Sequence, residues 1–140
     1  MSNKGYLPPV SLVIGGARSG KSAHAESLIE ESGLPPVYLA TATAGDSEMT
    51  DRIRRHQERR GDIWQTVEEP LDLVSALREV SSAKSAVLVD CLTLWLSNLM
   101  TLSRDIEHET ASLTTSFPSL TGPIIFVTNE VGLGIVPAHD

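Results

Sequence analysis

The residues Gly15-Gly16-Ala17-Arg18-Ser19-Gly20-Lys21-Ser22 carry the G-x-x-x-x-G-K-[ST] spacing of a phosphate-binding loop. Glycines at both ends let successive backbone N–H groups turn inward around phosphate oxygens, and the helix that follows adds the positive end of its dipole. Lys21 is then placed to reach the β/γ oxygens of a nucleoside triphosphate. Ser22 offers a hydroxyl to a phosphate-bound Mg2+, an ion that keeps only one or two protein oxygens beside water and phosphate. A loop of this kind needs an acid at the end of a neighbouring apolar strand, and Ala86-Val87-Leu88-Val89-Asp90 supplies one. Asp90 has a competing role as the cap of a helix beginning at Leu92.

A second reactive group lies in Arg52-Ile53-Arg54-Arg55-His56-Gln57-Glu58-Arg59-Arg60. Helical spacing puts Arg52, Arg59 and Arg60 on the face of His56. An imidazole among guanidiniums is disfavoured as a cation, so it stays neutral and nucleophilic near neutral pH and can attack phosphorus while the arginines hold phosphate oxygens. The plainer reading is a solvated histidine on a charged helix. His24, His108 and His139 have no partners at metal-ligand spacing and read as surface or capping residues. Asn129 and Glu130, after the last apolar run, fall where a parallel strand meets the ligand crevice, and the glycines beyond them suit turns.

The elements that must position these groups follow from hydrophobic patterning. Apolar runs at 10–14, 37–40, 86–89 and 123–127 predict buried strands, with a shorter one at 64–67. Between them lie predicted helices at 24–31, 47–60, 71–80 and 92–102, with a weaker helical pattern across 103–119 ended by Pro118. Pro70 suits the start of the third of these. Strands alternating with helices imply an α/β fold with a mostly parallel sheet flanked by helices.

Composition sets the remaining bounds. With 140 residues and 41% hydrophobic content, residues 1–140 are expected to form a single phosphate-loop nucleotide-binding domain. A net charge of −7 argues against a nucleic-acid partner. The lone Cys91 excludes an internal disulfide and suits a reducing cytoplasm. No apolar run approaches the ~20 residues of a membrane span, and nothing at the start resembles a signal peptide, so a soluble cytoplasmic protein is expected.

Several blocks together carry a resemblance. They are Gly-Gly-Ala-Arg-Ser-Gly-Lys-Ser-x-His-Ala-Glu at 15–26, Tyr38-Leu39-Ala40-Thr41-Ala42, Glu48-Met49 with Arg52-Ile53 and His56, Trp64-Gln65-Thr66-Val67-Glu68-Glu69-Pro70, Val89-Asp90-Cys91-Leu92-Thr93-Leu94-Trp95-Leu96-Ser97-Asn98-Leu99, and Val127-Thr128-Asn129-Glu130-Val131-Gly132-x-Gly134-Ile135-Val136-Pro137. In this order, over nearly the whole chain, they resemble the bifunctional adenosylcobinamide kinase / adenosylcobinamide-phosphate guanylyltransferase family of cobalamin biosynthesis. The resemblance implies a RecA-like phosphate-loop NTPase fold. It implies phosphorylation of the aminopropanol hydroxyl of adenosylcobinamide by a nucleoside triphosphate, ATP or GTP. Transfer of GMP from GTP to that phosphate follows, with pyrophosphate released and adenosylcobinamide-GDP formed. His56 matches the histidine that carries GMP covalently. The implied nucleotide contacts are Gly15, Gly16, Ala17, Arg18, Ser19, Gly20, Lys21 and Ser22 in the loop, Ala40, Thr41 and Ala42 after the second strand, Gln57, Glu58, Arg59 and Arg60 beyond the histidine, Glu68, and Asp90. In this set Lys21 joins His56 in catalysis, and Ser22 with Asp90 serves Mg2+. Family members tend to form compact oligomers, so a homo-oligomer is expected.

Family members also continue past the Val-Pro block through a helix and a closing strand, whereas this sequence stops at Asp140. A sheet edge and a helix face are therefore expected to lie uncovered. Two alternatives compete with the enzyme: a non-catalytic GTP-binding module or truncated fragment, and a phosphate-loop kinase for another small hydroxyl compound in which His56 is incidental.

Overall fold

The computed structural model describes residues 9–15, 20–42, 54, 58 and 63–129. In chain order these form β1 (Val10–Gly15), α1 (Lys21–Glu31), β2 (Pro36–Ala40), β3 (Gln65–Glu68), α2 (Leu73–Val80), β4 (Ala86–Asp90), α3 (Leu92–Thr101), α4 (Ile106–Ser116), a 3-10 turn (Phe117–Ser119) and β5 (Ile124–Asn129). The five strands make one sheet in the order β1-β5-β4-β2-β3, and every described pairing is parallel. β5 is inserted between the strand that leads into the phosphate loop and the strand that ends in Asp90, in keeping with the expected RecA-like arrangement.

The central strands β2 and β4 are buried at every residue, as apolar runs covered on both faces must be. On one face Tyr38, Ala40, Leu88, Ile125 and Val127 pack against Ala25 and Ile29 of α1. On the other, Val37, Leu39, Val87, Val89, Ile124 and Phe126 pack against Leu73 and Leu77 of α2, Trp95 and Leu99 of α3, and Leu113 of α4. The period-2 alternation of each strand thus divides the core into two layers. Among the described residues β1 is the outermost strand on its side, with Leu12 53% and Ile14 56% exposed.

The element types agree with the patterning, and the bounds move by a few residues. α1 starts at Lys21, three residues before the predicted helix, because Gly20 supplies the left-handed turn (φ +79°) that opens it. α2 starts at Leu73 instead of residue 71, because the Glu69 carboxylate accepts from the Leu71 and Asp72 N–H groups and holds that stretch as a turn. α3, nearly all apolar in sequence, buries Trp95 and Leu99 but leaves Met100 66% exposed. The weak pattern at 103–119 resolves into α4, whose Asp105 side chain accepts from the His108 N–H, followed by the 3-10 turn at Pro118. Arg104, just before α4, donates to Glu109 at 3.1 Å and to Asp72 at 3.3 Å, tying the starts of α4 and α2 together; these contacts, the Glu109 hydrogen bond foremost, push its pKa still higher. Of the predicted helix at 47–60, the described residues are Arg54 and Glu58, both helical and exposed. Among the described residues no helix is long and apolar enough to cross a membrane.

Candidate active site

Parallel strands bring their carboxyl ends to one edge of the sheet, and register decides which residues stand side by side there. Val13 pairs with Val127, Val127 with Asp90, Asp90 with Ala40, and Ala40 with Glu68. One row across all five strands therefore holds Asp90, Ala40 and Glu68 level with one another. Gly15 pairs with Asn129 two residues further up, so β1 and β5 end just beyond that row. In-register neighbours of a parallel sheet point the same way, which puts Asp90 on the face that α1 covers.

The start of α1 suits an anion. Its first turn carries no acidic side chain, and Gly20 lends no capping side chain to its N–H groups. A Cβ at Gly20 would meet nothing within 4 Å, so glycine is required there by the positive φ and not by crowding. Residues 16–19 and the side chains of Lys21 and Ser22 lie outside the described residues, as do His56, Gln57, Arg59, Arg60 and Glu130. Asn129 is described as the last residue of β5, its side chain excepted. His24 and His108 are exposed on α1 and α4, where the surface reading placed them.

Asp90 is 6% exposed and does not cap α3. That role falls to Cys91, whose Sγ accepts from the Leu94 N–H at 3.4 Å, while Asp90 Oδ2 accepts from the Tyr38 hydroxyl at 2.6 Å. The helix-cap alternative for Asp90 is thereby set aside, and its carboxylate lies buried at the carboxyl end of β4. A buried carboxyl oxygen donor on the same face as α1 fits a divalent cation that takes one or two carboxylates and completes its shell with phosphate and water.

Thr41 is fully buried and braces the same peptide. Its N–H donates to the Asp90 carbonyl at 3.0 Å, its Oγ1 donates to the Cys91 carbonyl at 2.8 Å, and the Cys91 N–H donates back to Oγ1 at 3.0 Å. Its carbonyl accepts from Asn98 Nδ2 at 2.9 Å, and the same amide donates to the Pro70 carbonyl at 3.0 Å. One side chain of α3 thus joins the segments that follow β2 and β3. Glu68 is exposed at the end of β3, and Ala40 and Ala42 are buried beside Thr41. Thr93 and Thr128 share a hydroxyl hydrogen bond of 2.7 Å that ties α3 to the end of β5. Tyr38 and Asn98 escaped notice as site residues because a strand tyrosine and a helix asparagine have no motif of their own. Their only sequence signal is a polar atom placed inside otherwise apolar blocks.

The family profile described as cobinamide kinase / cobinamide phosphate guanyltransferase matches residues 11–140. This chain belongs to that family. Its curated relatives include the bifunctional adenosylcobalamin biosynthesis protein CobP of Pseudomonas aeruginosa, 51% identical over 131 residues, a stretch that spans 92% of this chain and 76% of the relative. The corresponding proteins named CobU from Escherichia coli and Salmonella typhimurium are each 36% identical, over 141 and 144 residues, which cover 90% and 91% of this chain and 77% and 78% of theirs. The phosphate loop, the acid-ending β4 and the inserted β5 are therefore the framework of a kinase and guanylyltransferase of adenosylcobalamin biosynthesis.

Proposed function

We propose that this chain phosphorylates the aminopropanol hydroxyl of adenosylcobinamide and then transfers GMP from GTP to the resulting phosphate through a guanylyl group on His56. The observation that supports the reading is the register row at the carboxyl edge, in which Asp90 ends β4 one strand away from β1 and on the face of the sheet that α1 covers. In this reading residues 15–22 wrap the triphosphate, with Lys21 on its outer oxygens. Ala40, Thr41, Ala42 and Glu68 line the nucleotide on the β2–β3 side, and Gln57, Glu58, Arg59 and Arg60 approach it from the segment after His56.

The guanylyl transfer is two displacements at one phosphorus. A ring nitrogen of His56 attacks the α-phosphorus of GTP, the N–P bond forms, the bond to the β-phosphate oxygen breaks, and pyrophosphate leaves with the electron pair. A phosphate oxygen of adenosylcobinamide phosphate then attacks the same phosphorus, the N–P bond breaks, and His56 is regenerated. The neighbouring arginines favour the neutral imidazole required for the first attack and neutralise charge on the departing oxygens. Ser22 and Asp90 would hold Mg2+, which when bound neutralises phosphate charge in both reactions.

The test is incubation with Mg2+ and α-labelled GTP, followed by denaturation and assay of protein-bound label that is acid-labile and base-stable. Label on the wild-type chain and none on His56→Ala is expected. A variant labelled as strongly as wild type would overturn the assignment of His56. GTP binding without label on the wild-type chain would favour the binding-module reading.

A further inference from the structure

The side chain that holds Asp90 comes from the middle of a core strand. Tyr38 of β2 is 2% exposed and pairs in register with Leu88, two residues before Asp90 on the neighbouring strand. Residues two apart along a strand share a face, so the ring of Tyr38 runs up the α1-facing side of the sheet and delivers its hydroxyl to Asp90 Oδ2 at 2.6 Å. Filling that volume needs only a phenyl ring. A buried hydroxyl adds a desolvation cost that is offset only by a partner, and Asp90 Oδ2 is that partner.

The backbone on either side of the Asp90 carbonyl is clamped by Thr41, and the Tyr38 hydroxyl is one of the contacts that hold its side chain. Aspartate χ2 is a soft, roughly two-fold torsion that packing alone restrains poorly. A donor on a rigid central strand, aimed at one carboxylate oxygen, restrains that torsion.

We propose that Tyr38 is a positioning residue for the reaction: its hydroxyl fixes the orientation in which Asp90 meets the phosphate-bound divalent cation. The inference rests on the reading of Asp90 as the acid on the cation side. Partners that orient a metal-binding carboxylate typically change metal affinity by roughly 10–100-fold when removed. Tyr38→Phe keeps the ring and deletes only the donor.

The experiment measures Mn2+ affinity of the full chain in complex with a GTP analogue carrying a methylene bridge between its α and β phosphorus atoms, by electron paramagnetic resonance of free Mn2+. Affinity for the analogue is measured separately in EDTA. Tyr38→Phe is expected to weaken Mn2+ binding about tenfold while metal-free analogue affinity stays within about twofold of wild type. A merely structural role would lower the melting temperature without moving the Mn2+ constant. Wild-type Mn2+ affinity in Tyr38→Phe, with Asp90→Asn weakened, overturns the role of Tyr38 and leaves that of Asp90 intact. Unchanged Mn2+ affinity in Asp90→Asn overturns both.

A second measurement covers a variant that fails to fold. With Tyr6 and Tyr38 the only tyrosines, the chain labelled with 3-fluorotyrosine gives two fluorine resonances, assigned by Tyr6→Phe. The Tyr38 resonance is expected to shift when Mg2+ is added to the analogue complex, and its failure to move would refute the proposal.

Discussion

Replacing Asn98 by aspartate keeps the side-chain shape and turns the donor that joins two strand ends into an acceptor facing two carbonyls. The lost bonds are those to Thr41 at 2.9 Å and Pro70 at 3.0 Å. Each contributes about 1 kcal/mol net. The Thr41 carbonyl belongs to a fully buried residue, so it gains little water in exchange and adds about 1 kcal/mol more. Pro70 is half-buried and rehydrates more readily. The sum for Asn98→Ala is about 2–3 kcal/mol, and Asn98→Asp should exceed it, because a carboxylate is set against carbonyl oxygens. At about 2–4 °C per kcal/mol for a domain near this size, the melting temperature of Asn98→Ala should fall by about 4–12 °C and that of Asn98→Asp further. Calorimetric melting of the wild type and both variants checks the first part. Titration with GTP checks the second, since separating the segments after β2 and β3 should weaken nucleotide binding in both variants. An Asn98→Asp protein that melts within the ~0.5 kcal/mol of an innocuous surface change would refute the reasoning.

Two further substitutions probe the same framework. Thr41→Val keeps the volume but removes the hydroxyl that satisfies both the N–H and the carbonyl of Cys91; a loss of about 2–4 kcal/mol in chemical denaturation is expected, with a fall in guanylylation larger than the stability change explains. Gly122, at φ +78° in the turn before β5, would place an added Cβ 1.9 Å from the Ser82 carbonyl oxygen and 2.7 Å from that of Ser85. Gly122→Ala should therefore cost about 2–5 kcal/mol in the same denaturation assay while leaving the GTP affinity of the folded fraction unchanged.

Much of this protein can be read from local sequence. Apolar runs ending in Gly15 and Asp90, with a glycine-rich loop after the first, specify a parallel sheet and a phosphate site, because strand burial and loop geometry depend on residues close together in the chain. The order of the strands was not legible in this way. That β5 lies between β1 and β4, and that Asp90 stands level with Ala40 and Glu68, follows from pairing between segments tens of residues apart, which no local pattern encodes.

The same distinction divides the site. Lys21, Ser22 and Asp90 are candidates by residue type and spacing, and His56 becomes one only through the family resemblance, since its neighbours alone also suit a solvated histidine. Whether Asp90 caps α3 or faces the crevice could not be decided from its neighbours in sequence, because both roles suit an aspartate between strand and helix. Tertiary structure excludes the cap: Cys91 takes it, and Tyr38, 52 positions away, reaches across from β2 to the Asp90 carboxylate. The sequence by itself determined the fold class and the family. Only packing determined which polar atoms lie around Asp90, because hydrogen bonds such as those of Tyr38, Thr41 and Asn98 exist only once the fold has brought polar atoms of distant segments within about three ångströms of one another.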